Sequence, residues 1–362
     1  MKKILFKNSL ILLAIVLFTA HASSAQQKNA VCAAFQEMVD ETYNFKPAKL
    51  TDAERNAKSA AMDKVWNKVK ASPQELLPCL RDLIDARTHD AFFRFDASNL
   101  LIQLDQSQEA KKTLIKTYAE VDLADINLRY WMPYIAVLGY EGFDTSAAGE
   151  NWLKYPNPEY YLPQHGALAV NKEIGALIIY GSMDETIATP ALVRVAAQEN
   201  HPGREIAVRL LMQQATPESL QELKKLNLKG LSDAARQGVN NFLTKPNLLT
   251  PREGAPKITR QQYLDAFRQL AAGKSQAFMK LASEVPDGEK DVVAVMKPED
   301  IPLIRKARRV FAASAAPHAA EWYKSFTDIL LALTRQPESV KQKARVDLQT
   351  RQSAGFTPAA VR

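Results

Sequence analysis

The chain has 362 residues but only 13 glycines, two cysteines and five histidines. Each shortage excludes something. Scarce glycine argues against a β-rich or dinucleotide-binding fold, since both need that residue at tight turns and close backbone approaches. Two cysteines, Cys32 and Cys79, cannot complete a four-ligand zinc site, and no pair of histidines stands at ligand spacing beside them. No HExxH metal motif, GxSxG nucleophile elbow or GxGxxG fingerprint occurs. Gly273-Lys274-Ser275 matches the end of a phosphate-binding loop, but Arg268 stands where that loop requires its first glycine, so the backbone cradle cannot form. Beyond Phe18 no apolar run approaches the roughly 20 residues that span a bilayer as a helix. The sequence therefore predicts no cofactor, no metal, no catalytic constellation and no transmembrane segment in the mature chain.

What is present begins with an export signal. Lys2, Lys3 and Lys7 precede nine apolar residues from Leu10 to Phe18, and Ala20-His21-Ala22 and Ser23-Ser24-Ala25 supply small-residue cleavage sites. We read residues 1–25 as a signal peptide cleaved after Ala25, which places the mature protein in the periplasm or outside the cell. An oxidising compartment permits a Cys32–Cys79 disulfide. The formal charge of +7 is uneven: from Lys245 onward there are 20 basic and 12 acidic residues, so the C-terminal third is basic and the rest acidic. The mild total excess is no nucleic-acid footprint, and an exported protein meets little nucleic acid.

Helix signals recur along the chain. Thr51 with Glu54 and Ser72 with Glu75 have the spacing of capping boxes, as does Ser182 with Glu185. Thr216-Pro217 opens a further helix carrying Leu220, Leu223 and Leu226, and Ser232 caps one whose stripe is Ala235, Val239, Phe242 and Leu243. Short helices with short connections predict stacked antiparallel pairs. Two segments are alike: Pro78-Cys79-Leu80 precedes Arg94, Ala97, Leu100 and Leu101, and Pro190-Ala191-Leu192 precedes Arg204, Ala207, Leu210 and Leu211. From the arginine onward the offset is a constant 110 residues.

The segment from Asp184 to Leu211 resembles a HEAT repeat on Pro190, Arg204, Ala207, Leu210 and Leu211, and residues 78–101 resemble it on the matching positions. Gln198 departs from the pattern, standing about where the family has an aspartate. The resemblance implies an all-α fold, a right-handed α-solenoid of stacked helix pairs over residues 26–244, whose exposed surface binds partners without catalytic residues. Prolines and Gly254 then mark a linker at 245–257, followed by a C-terminal helical unit at 258–335 and a polar, basic tail at 336–362.

Two groups of residues are candidate binding elements. Tyr130, Trp131, Tyr134, Trp152, Tyr160, Tyr161 and His165 fall in an aromatic stretch interrupted by prolines, where rings can stack on sugar or peptide. Arg305, Lys306, Arg308 and Arg309 lie opposite the apolar stripe Leu303, Ile304, Ala307, Val310 and Phe311, as a basic patch facing acidic envelope components. The expected function is an exported, non-catalytic scaffold or binding protein for a protein, peptide or glycan partner in the cell envelope. The alternative is an all-helical envelope enzyme acting on polysaccharide from the aromatic groove.

Overall fold

The computed structural model describes Cys32 and residues 51–71, 73–85, 91–123, 131–155, 172–244, 248–251, 258–285, 287–314 and 319–335. The leader, most of the linker, Tyr130, Tyr160, Tyr161, His165 and the tail from 336 lie outside these residues. Among the described residues the chain is all-helical and contains no strand, and no helix is long and apolar enough to cross a membrane. Its contacts divide into two units, one ending at Leu128 and the other beginning at Arg129.

The first unit contains α1 (Asp52–Ala71), α2 (Pro73–Asp85), α3 (Ala91–Leu104) and α4 (Gln108–Tyr118). The box before α1 is formed: the Thr51 N–H donates to Glu54 Oε2 at 2.8 Å, and the Glu54 N–H donates to Thr51 Oγ1 at 3.3 Å. These bonds to Thr51 hold the Glu54 carboxyl below its ordinary value. Proline opens α2, where its missing N–H is no loss, and Pro78 lies inside the same helix on its exposed side. The carbonyl that Pro78 leaves unpaired belongs to Gln74, also exposed, so water can satisfy it. Leu76, Leu80, Phe95, Leu100, Leu101, Leu114 and Tyr118 form the core between α2, α3 and α4. Ser98 and Thr117 share a 2.6 Å hydrogen bond inside it. Cys32 and Cys79 lie at disulfide distance, with Cα atoms 6.1 Å apart, inside the range that a bridge requires.

The second unit comprises α5 (Met132–Tyr140), α6 (Ser146–Lys154), α7 (Lys172–Ser182), α8 (Glu185–Ala197), α9 (Arg204–Gln214), α10 (Pro217–Lys225), α11 (Asp233–Thr244), α12 (Arg260–Ala271), α13 (Gln276–Glu284), α14 (Gly288–Val295), a 3₁₀ turn (Pro298–Asp300), α15 (Ile301–Ser314) and α16 (Ala319–Arg335). Thr216 caps α10 and Ser232 caps α11. The cap of α8, however, is Asp184, whose side chain accepts from the Thr186 N–H at 3.0 Å; Ser182 ends α7, is fully buried, and donates to the Ile179 carbonyl. The spacing from Ser182 to Glu185 therefore predicted the helix start two residues early.

Packing in this unit runs both between neighbours and across the sequence. Helix α8 packs on α9 and α9 on α10, while α7 packs on α5 and α6. Residues 258–335, expected as a C-terminal unit, pack within the second unit: α15 lies against α16 and α12 and also against α5 and α7. The close approach of α6 and α7 depends on Gly175, where a Cβ would overlap the Trp152 indole.

Candidate binding site

A cleft of about 200 Å³ opens between α12, α13, α14 and α16. Aromatic residues from three of these helices build its wall. Tyr263 comes from α12 and Phe278 from α13, while Trp322 and Phe326 lie four residues apart on one face of α16. The Phe278 ring centroid is 5.4 Å from Phe326 and 5.3 Å from Trp322, stacked on the first and edge-on to the second. Trp322 in turn stacks on Phe311 of α15 at 5.5 Å. These offset and edge geometries hold the wall rigid.

The rim is acidic. Asp287 precedes α14 with a left-handed backbone, φ 57°, and Glu289 is in the first turn, where the helix N-terminus favours negative charge. Glu289 accepts a 3.0 Å hydrogen bond from Ser325 Oγ. Asp287 lies 3.6 Å from Lys290 across an exposed pair, an interaction that solvent screens. One turn beyond Ser325, Asp328 is held above the ordinary carboxylate value, first by burial and also by the charge of Glu289, although Lys324 opposes this. An apolar aromatic pocket beneath a negative rim accepts a compact apolar group whose neighbour is cationic. Among the described residues no three His, Cys, Asp or Glu side chains converge as a bound metal would require.

The residues picked out in the sequence are placed differently. Trp131 and Tyr134 are half-buried at the start of α5, their rings edge-on with centroids 6.0 Å apart. Trp152 is fully buried in the seam of α6 and α7, so it fills the core and cannot stack on a ligand. The basic patch also needs correction. Lys306 is exposed and Arg305 half-buried, but Arg309 is paired with Asp184 at 2.6 Å and Arg308 is only 1% exposed. The cleft's own rings were legible only in part: Trp322 and Phe326 belong to an apolar stripe readable in α16, but nothing local in the sequence brings Phe278 and Tyr263 to them.

Comparisons with family models, with curated proteins and with solved structures find no match to this chain.

Proposed function

We propose that the protein is an exported, non-catalytic scaffold whose helical surface binds a protein or peptide partner of the cell envelope, with the cleft of α12, α13, α14 and α16 receiving an apolar side chain flanked by a basic residue. The observation that carries this reading is the aromatic wall set beneath Asp287 and Glu289. Export rests on the leader read at residues 1–25, and the Cys32–Cys79 spacing is in keeping with it.

In the same proposal the helix pairs α2/α3 and α8/α9 are HEAT-like elements of a right-handed solenoid. Supporting this, Pro78 and Pro190 each lie inside the first helix of a pair, and Ala97, Leu100, Leu101, Ala207, Leu210 and Leu211 are all buried in the second. A strict solenoid brings together only sequence neighbours. The packing of α15 on α5 and α7 adds sequence-distant contacts, which would brace the array around the cleft.

The test is selection of displayed peptides on the mature protein, followed by affinity measurement on a variant with the cleft filled. Peptides should be enriched in an aromatic or aliphatic residue beside Lys or Arg. Ala282→Trp, at a half-buried position on the cleft wall, should weaken them at least about tenfold while the helical circular dichroism is kept. Equal binding by the filled variant would remove the cleft from the function.

A further inference from the structure

The cleft of α12, α13, α14 and α16 offers an incoming group two accessible features, an apolar wall and a carboxylate edge. Phe326 and Tyr263 are almost wholly buried by their neighbours and form the floor. The side chains within reach are Leu281, Ala282 and Trp322, each half-buried, with Asp287 exposed and Glu289 half-buried beside them. Half-wetted apolar side chains in a concavity favour any apolar group that displaces their water.

The edge keeps a negative surplus after its cations are counted. Lys290 faces Asp287 at 3.6 Å, and Lys324 stands one turn before Asp328 on α16 and opposes its charge. That leaves Glu289, which accepts from the neutral Ser325 hydroxyl and has no ion-pair partner among the described residues. One cation can therefore be received there without displacing another.

A segment of matching chemistry belongs to the same chain. Helix α16 supplies Trp322, Ser325, Phe326 and Ile329 to the cleft and ends at Arg335; from Gln336 to Arg362 the sequence carries five basic residues and two acidic ones. Within it Val346 stands directly beside Arg345, the pairing of apolar and basic side chains that the cleft fits. The helix end from which this segment departs is fastened: Arg335 Nη1 donates to the Phe242 carbonyl at 2.9 Å and Nη2 to that of Leu243 at 3.3 Å.

The reach is right as well. From Phe326 to Arg335 the helix rises about 14 Å. Val346 follows Arg335 by eleven residues. A coil of that length spans about 18 Å on average and up to about 36 Å when extended. A tether whose mean span matches the distance to be covered gives its group the highest effective concentration, in the millimolar range. One apolar side chain and one exposed ion pair, a contact too weak to hold a free peptide, suffice under that condition.

Resting on the reading of this cleft as a peptide site, we propose that Arg345 and Val346 of the same chain occupy it until a partner displaces them. Val346 lies against Leu281, Ala282 and Trp322, and Arg345 meets Glu289. The tail is thus a built-in competitor, and a partner binds only as tightly as its advantage over it.

The experiment uses the full mature chain at about 1 μM, far below the effective concentration of the tether, with photoreactive benzoylphenylalanine in place of Gln349, outside the proposed contact. Irradiation and peptide mass spectrometry should join position 349 to the cleft residues of the same molecule, and Arg345→Glu with Val346→Asp should abolish that product. Products that are absent, that map elsewhere, that join separate chains or that persist in the double variant overturn the proposal. Peptides selected on the cleft should also bind the double variant at least about threefold more tightly than wild type, the factor by which a tail occupying two thirds of the molecules lowers apparent affinity. Equal affinities overturn the tail's role while leaving the cleft a peptide site. Selected peptides indifferent to Ala282→Trp remove the peptide reading, and this proposal with it.

Discussion

Arg308 and Glu185, 123 residues apart, meet at 3.1 Å with the arginine almost wholly buried. The same guanidinium donates to the carbonyls of Gln213 and Gln214 at 2.9 Å and to Thr327 Oγ1 at 3.0 Å, and it lies 4.7 Å over the Tyr323 ring. Those carbonyls are available because α9 ends in a left-handed residue, Ala215 at φ 55°, and because the last turn of a helix has no partners of its own. A cation there is also favoured by the helix dipole. One side chain of α15 thus fastens the start of α8 to the end of α9.

Removing that side chain should be severe. Arg308→Met leaves the Glu185 carboxylate and the Gln214 carbonyl without their donor, while the Gln213 carbonyl keeps Thr327 Oγ1, and should destabilise the protein by about 3 kcal/mol or more. Arg308→Lys keeps the charge but cannot present a planar fork to several acceptors at once, so it should recover only part of the loss. Urea unfolding of the three proteins is the check. A methionine variant as stable as wild type would mean that the clasp contributes nothing net.

The repeat makes its own mechanical prediction. Ala207 is fully buried where α9 packs, and Ala197 at the end of α8 is exposed. Ala207→Arg should therefore destabilise by more than about 3 kcal/mol through overpacking and a stranded charge, whereas Ala197→Arg should stay within about 0.5 kcal/mol of wild type. Thermal melts of both variants decide this, and an unchanged midpoint for Ala207→Arg would dissolve the correspondence between the two helix pairs.

The helical class was legible because its signals are local. A hydroxyl three residues before a glutamate, as at Thr51 and Glu54, satisfies its own neighbourhood wherever the helix goes. Burial of Ala97 and Ala207 was legible because the repeat fixes which face of the second helix meets the first. The basic patch failed for a related reason. A period of 3.6 residues tells which side chains of α15 share a face, but not whether the opposite face meets water. Helix α15 is packed on several sides, by α16, α12, α5 and α7, so the face carrying Arg308 and Arg309 became an internal joint with Glu185 and Asp184. The cleft was legible only in the α16 stripe of Trp322 and Phe326: its rings come from three helices whose meeting is decided by tertiary packing alone.

The final prediction concerns pH and rests on His201, in the turn between α8 and α9. Its Nδ1 accepts from the Gly203 N–H at 3.0 Å, which assigns the proton of the neutral ring to Nε2. The side chain is 4% exposed, and Nε2 lies 3.9 Å from Glu150 without a hydrogen bond. Burial lowers the imidazole below its ordinary value of 6.5; the charge of Glu150 works against this, and Lys154 and Lys172 reinforce it. Protonation would also break the bond from Gly203, because the ring would have to surrender its acceptor. Between the depressed folded value and 6.5 the unfolded chain therefore binds more protons than the folded one, and stability must rise with pH. The stabilising contribution is fully present above about pH 7.5 and is lost as the pH falls through 6.5 toward the folded value. His201→Gln keeps an acceptor for the Gly203 N–H and cannot titrate, so its urea-unfolding free energy should depend less steeply on pH than that of wild type between about pH 7.5 and 5.5, above the carboxylate range. If wild type and His201→Gln keep a constant difference across that interval, the ring at 201 does not titrate differently in the folded and unfolded chains, and its placement in the turn has no consequence for stability in acid.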